Sequence, residues 1–164
     1  MIIIEADQTN LLQAAVIHSV SWQESHRAFC SPDFIELHTP DHQLEYISKK
    51  ISSGSRFYML VEDVPVGIIS VTGSLIEDLY ILPDKQNMGY GTTLLQFAIG
   101  RCNGTPTLWI LENNDKAKNC ITDWDSGKPE RFMPLQTGLM RSNWHIRRNR
   151  NGYRHQTLYK RQNQ

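Results

Sequence analysis

The segment Leu79-Tyr80-Ile81-Leu82-Pro83-Asp84-Lys85-Gln86-Asn87-Met88-Gly89-Tyr90-Gly91-Thr92 constrains this 164-residue chain more than any other. A hydrophobic run stopped by proline reads as a strand, and Gly91–Arg101, with Leu94, Leu95, Phe97 and Ala98 on one face, reads as a helix ended by Cys102-Asn103-Gly104. Thr107–Leu111 then reads as a buried strand. A strand, a helix and a further strand over this length form a crossover to a parallel neighbour. The first amides of a helix lack internal partners and stand at the positive end of its dipole, so such a turn suits an anion. It is neither of the two commonest nucleotide loops. Position 94 is Leu where a Rossmann fingerprint needs its third glycine, and no Gly-Lys-Ser/Thr follows.

Upstream, Met1–Glu5 reads as a strand. Asp7 or Thr9 could cap a helix over about 8–20, with Leu11, Leu12, Ala15, Val16 and Val20 at helical spacing. Residues 21–54 are less regular and fit two short helices after Ser31-Pro32-Asp33 and Thr39-Pro40-Asp41. Trp22, Phe29, Phe34 and Tyr46 in this region belong either to the core or to a pocket wall. Arg56–Glu62 and Val66–Thr72 alternate about a turn at Asp63-Val64-Pro65, and Leu75–Leu82 follows Gly73-Ser74, giving a three-strand antiparallel meander. The expected class is therefore α/β (α+β), a mixed and mostly antiparallel central sheet flanked by helices, within one domain spanning 1–164.

Composition removes other classes. Lys and Arg (17) balance Asp and Glu (17), so bulk charge gives no reason to expect nucleic acid. The balance is uneven along the chain, with 5 basic and 12 acidic side chains in 1–100 against 12 and 5 in 101–164. Arg141, Arg147, Arg148, Arg150, Arg154, Lys160 and Arg161 have no acidic residue among them. These fit a solvated strand face, or an acceptor or cofactor bearing acid groups. No apolar run approaches the roughly 20 residues of a membrane helix, and the amino terminus lacks a signal-peptide pattern. A cytoplasmic, membrane-free protein is expected. Cys30, Cys102 and Cys120 lack CxxC spacing, and the six histidines lack HxH or HExxH spacing, so no disulfide framework or metal site is expected.

Gln86-Asn87-Met88-Gly89-Tyr90-Gly91 fits Gln/Arg-x-x-Gly-x-Gly/Ala, and with the preceding strand and Leu94-Leu95 it resembles the GNAT superfamily of acetyl-coenzyme A dependent N-acetyltransferases. The resemblance implies a splay between the fourth and fifth strands. It implies that the amides of Gln86, Asn87, Met88, Gly89, Tyr90, Gly91 and Thr92 cradle the pyrophosphate of coenzyme A, and that the main chain at Tyr80 and Ile81 runs beside the pantetheine. Asn114 and Ala117 match the family's Asn-x-x-Ala segment. The tyrosine that often protonates the departing thiolate has no counterpart, since Cys120 and Ile121 stand where the aromatic-Tyr pair belongs.

Glu77, four residues before Ile81, matches the place where several members carry a glutamate base; strand alternation sends its neighbour Asp78 to the opposite face. The resemblance thus implies transfer of acetyl from acetyl-coenzyme A to a primary amine by direct attack. The acceptor is a small-molecule amine or a peptide or protein amine, and a homodimer stays open. The rival reading is a coenzyme A-binding module with weak or no catalysis.

Overall fold

The computed structural model describes residues 1–28, 30–111, 133–134, 140–149 and 152–156. The chain divides into two compact units, one of Met1–Thr72 with Glu77–Arg101 and one of Gly73–Ile76 with Cys102–Gln164.

In the first unit, β1 (Ile2–Glu5) pairs antiparallel with β2 (Arg56–Val61), and β2 with β3 (Pro65–Thr72). The next strand, β4 (Leu75–Ile81), lies beside β3. The hairpin falls where the alternating residues and the Asp63-Val64-Pro65 turn put it. Four consecutive residues of β2, Phe57 to Leu60, are buried because both faces of the strand are covered. Phe57 and Met59 join Ala14, Ala15 and Ile17 of α1 (Leu11–His26) and Ile47 of α3 (Pro40–Ser52) in one core cluster. The alternate residue Tyr58 meets Phe97 of α4 (Tyr90–Ile99) edge to face, ring centroids 4.9 Å apart. Period-two alternation thus hands successive side chains to different helices.

Two expectations are corrected here. The first helix does not stop near residue 20 but continues to His26, and Asn10, rather than Asp7 or Thr9, is its N-cap residue. Asp7 instead accepts from the Thr9 amide and hydroxyl, closing a turn ahead of the helix. The buried side of α1 is also different. Ala14, Ala15, Ile17, His18, Ser19 and Ser21 are buried, whereas Leu12, Val16 and Val20 are exposed. Apolar residues ring this helix, so periodicity could not choose a face; the polar His18 and Ser21 go inward because β4 holds partners for both. Only a five-residue helix α2 (Pro32–Glu36) and α3 occupy the remainder of the irregular region.

In the second unit, Leu75 and Ile76 pair in parallel with Thr107 and Leu108 of β5 (Thr107–Leu111). That ladder comprises these two pairs. Strand β5 pairs antiparallel with β7 (Met140–Asn149), which pairs with the short β6 (Met133–Pro134) and with β8 (Gly152–Gln156). The sheet is mixed and mostly antiparallel, with the β4–β5 step parallel, as the sequence implied.

Candidate active site

The loop between β4 and α4 begins with a single 3-10 turn, Pro83–Lys85. Two of its residues take left-handed backbone, Asn87 at φ 63° and Gly89 at φ 83°. Asn tolerates this conformation and Gly adopts it freely. Gly89 is the N-cap of α4, and the Thr93 amide donates to its carbonyl at 3.0 Å. The amides of Tyr90 and Gly91 precede that first helical bond and have no carbonyl within the helix to receive them. Such a terminus is chemically suited to phosphate oxygens. Gln86, a fixed position of the motif, points its side chain backwards, with Nε2 donating to the Ile81 carbonyl at 3.2 Å. The same carbonyl accepts from Ser21 Oγ of α1 at 3.1 Å. Met88 and Asn87 are exposed, and the Tyr90 hydroxyl bonds the Glu62 carboxylate, which raises its pKa.

Behind the loop, β4 lies close against β3 at Gly67. A Cβ added there would stand 3.0 Å from the Tyr80 carbonyl and would run into Ile81 Cδ1. The missing side chain lets the Tyr80–Ile81 main chain approach.

Two residues before Tyr80, the backbone departs from regular geometry at Asp78, with φ 51°. A non-glycine residue in this region is unfavourable, and such departures concentrate at functional sites. The departure overturns the expectation that Glu77 and Asp78 face opposite ways: strict alternation fails, and both carboxylates accept from Lys50 of α3. Lys50 Nζ lies 2.8 Å from Glu77 Oε2 and 2.9 Å from Asp78 Oδ2. Asp78 also accepts from Ser70 Oγ of β3 at 2.7 Å and from Tyr46 Oη of α3 at 3.0 Å, and lies 3.4 Å from His18 Nε2 of α1. An ionised carboxylate only accepts, so His18 must carry its proton on Nε2 for this contact. Its Nδ1 is buried and has no hydrogen-bond partner among the described residues. The imidazole packs against Tyr46 and Tyr80, ring centroids 5.3 and 4.7 Å away.

Burial opposes ionisation of Asp78, yet the His18 contact and the Lys50 charge, with the Ser70 bond, hold its carboxyl far below the usual carboxylate range. Lys50 answers in kind, held protonated above the normal lysine range by Asp78 and Glu77 against the effect of burial. Burial and the Asp78 charge push Tyr46 up to about 12, so it stays a donor at neutral pH.

Sequence reasoning placed Glu77, Tyr80, Ile81 and the 86–92 loop, and the structure brings all of these into one unit. It passed over His18, Lys50, Ser70 and Asp78. The available signal was a histidine amid Ala14, Ala15 and Ile17 on a helix, which asks for a buried partner. Of the undecided aromatics, Tyr46 lies against the core, and Trp22, half-buried, stacks on His26 and His38 with ring centroids 3.9 and 3.4 Å away. Phe34 is exposed and meets Trp22 by its edge. Asn114, Ala117, Cys120, Ile121 and Phe29 lie outside the described residues. Among the described residues there is no group of three or more potential metal ligands, and no helix is long and apolar enough to cross a membrane.

The model of the acetyltransferase (GNAT) family matches residues 20–122. No curated protein matches the chain in sequence. Among solved structures, the chain is similar in fold to the PaiA N-acetyltransferase of Thermoplasma acidophilum in complex with coenzyme A, at 16% identity and TM-score 0.58 over 87% of this chain and 98% of that one. It is similar to YncA of Salmonella typhimurium with its cofactor acetyl-CoA, at 16% identity and TM-score 0.61 over 99% and 96%. The ribosomal-protein-alanine N-acetyltransferase of Brucella melitensis gives 13% identity and TM-score 0.62 over 87% and 97%. The matched segment runs from α1 through the two-glycine turn and past β5, and on that ground the chain belongs to the acetyltransferase (GNAT) family, a family of acyltransferases.

Proposed function

We propose that this chain transfers an acetyl group from acetyl-coenzyme A to a primary amine by direct attack, in the cytoplasm as its sequence suggests. The observation that carries this reading is the pair of left-handed residues, Asn87 and Gly89, that opens the amide-bearing head of α4 inside the family-matched segment. The bound forms of PaiA with coenzyme A and of YncA with acetyl-CoA support the choice of cofactor. In this reading the main chain from Gln86 to Thr92 binds the pyrophosphate and that of Tyr80 and Ile81 lies along the pantetheine, with Asn114 and Ala117 as further contacts. When bound, acetyl-coenzyme A supplies an acetyl group activated as a thioester. Glu77 Oε1, which has no side-chain partner among the described residues, takes a proton from the incoming ammonium and leaves the nitrogen its lone pair.

Calorimetry with acetyl-coenzyme A, followed by thiol release in a panel of small and peptide amines, tests the assignment. Binding with turnover for at least one amine is expected. Glu77→Gln should lower turnover by about 10²–10⁴, most at low pH, with donor affinity unchanged. Binding without turnover for any amine favours instead a coenzyme A-binding module, a reading motivated by Cys120 and Ile121 at the place of the usual aromatic-Tyr pair.

A further inference from the structure

We propose that Lys50 and Asp78 are positioning residues for this transfer, fixing the Glu77 carboxylate through the Lys50 ammonium; the inference rests on the acyl-transfer reading above. A lysine joining α3 to one strand carboxylate needs no unusual backbone. Here the strand is bent into left-handed φ at Asp78, and two consecutive carboxylates share one ammonium. The exposure falls inward along the chain of contacts, from 31% for the Glu77 side chain through 19% for Lys50 to 9% for Asp78. The outer carboxylate is thus accessible and the inner one is anchored.

Every element packed around Lys50 contributes to holding it. From α1, His18 reaches Asp78; from α3, Tyr46 bonds Asp78 and places its ring 5.5 Å from Lys50 Nζ; from β3, Ser70 bonds the same Asp78 oxygen as Lys50. The Phe57 ring of β2 lies 6.0 Å from Nζ. The ammonium therefore has little freedom. It engages Oε2 of Glu77 and leaves Oε1 without a side-chain partner among the described residues. The same charge separates two carboxylates that would otherwise repel, and without it one of them favours its protonated form. A base so held meets the amine in productive geometry, which a freely rotating glutamate on a strand does not guarantee.

The test compares Lys50→Met, Lys50→Arg and Asp78→Asn with the wild type. Three readouts are needed: kcat/KM against pH with acetyl-coenzyme A and the best amine, the 13C titration of the Glu77 side-chain carboxyl in ligand-free protein, and thermal melting. In Lys50→Met the acid limb and the Glu77 titration should both move up by about 1–3 pH units. Turnover should fall at least about tenfold while donor affinity holds, and Lys50→Arg should restore the limb because it restores the cation. Asp78→Asn removes a negative charge beside Glu77 and should displace both titrations toward lower pH. A merely structural role does not give opposite displacements. If folded Lys50→Met leaves both unmoved, the positioning role is overturned while acetyl transfer stands. If Lys50→Met melts below the assay temperature, Asp78→Asn decides, and no downward displacement overturns the proposal. If the wild type acetylates no amine, the transfer reading fails and the positioning role fails with it; the carboxyl titration then reports only an electrostatic clamp.

Discussion

The turn at the head of α4 and the cluster around Asp78 lie on either side of the Tyr80–Ile81 main chain, yet they are built on opposite principles. The turn spans residues 86–92, shows much of its surface, and in the proposed reading binds through backbone amides. The cluster draws on residues 18, 46, 50, 70, 77 and 78, is largely buried, and works through side chains. Both use left-handed residues. In the turn these are a glycine and an asparagine, which accept that conformation readily; in the cluster it is an aspartate held there by its partners. A backbone site can thus be written as a short motif, whereas a side-chain site is written by the whole fold.

The largest expected effect tests whether the cluster sustains the fold. Asp78→Ala leaves Lys50 with half its counter-charge and Tyr46 and Ser70 without their acceptor, and should cost about 3–5 kcal/mol in urea unfolding. The wild type should also lose stability on acidification. Because the folded-state pKa of Asp78 is depressed, the unfolded chain takes up its proton first. The contribution is therefore complete above the ordinary Asp value of about 3.9 and declines as pH falls from there toward the folded value. Asp78→Ala should flatten that decline; an equally steep decline in the variant would show that other groups cause it.

An intermediate effect is expected where the two regions share a wall. Gly67→Ala forces the new methyl against the Tyr80 carbonyl and Ile81. It should cost about 1–3 kcal/mol and, by displacing β4, weaken donor binding and turnover together. Stability lost with both activities intact would place Gly67 in packing alone.

The smallest effect on stability, with the sharpest effect on binding, belongs to the turn. Gly89→Val puts a β-branched residue at φ 83°, a strain of about 1–2 kcal/mol with open space around the added Cβ. Calorimetry should show affinity for acetyl-coenzyme A down about tenfold or more, with the acid dependence of unfolding unchanged. Unaltered uptake would remove the turn from the binding site.

The same contrast governs what could be read from the sequence. The hairpin of β2 and β3, the crossover through α4, and the bounds of β5 were legible, because turn chemistry and periodicity are local. The two-glycine turn at the head of α4 was legible for the same reason. The buried face of α1 was not, since Leu12, Val16 and Val20 are as apolar as Ala14, Ala15 and Ile17, and partners sixty residues away decide the matter. Nor was the pairing of Glu77 with Asp78 on one cation, because alternation is the rule that an irregular backbone angle breaks. Strand β7 was not legible either: Met140, Trp144 and Ile146 are its only large apolar residues, too sparse to mark ten residues as a strand.

His18 and Asp78 are separated by 60 residues, and Tyr46 and Asp78 by 32. Contacts across such spans can close only after the intervening hairpin and helices have come together, since chain entropy must be lost before they return anything. The bend at Asp78 should accordingly form late, after the folding barrier has been crossed. Interactions of that kind govern how long the native state survives and leave its rate of formation alone. The residues that aim the proposed base should then also act as a latch on the lifetime of the fold, and in a chevron their removal should lift the unfolding arm and leave the refolding arm in place.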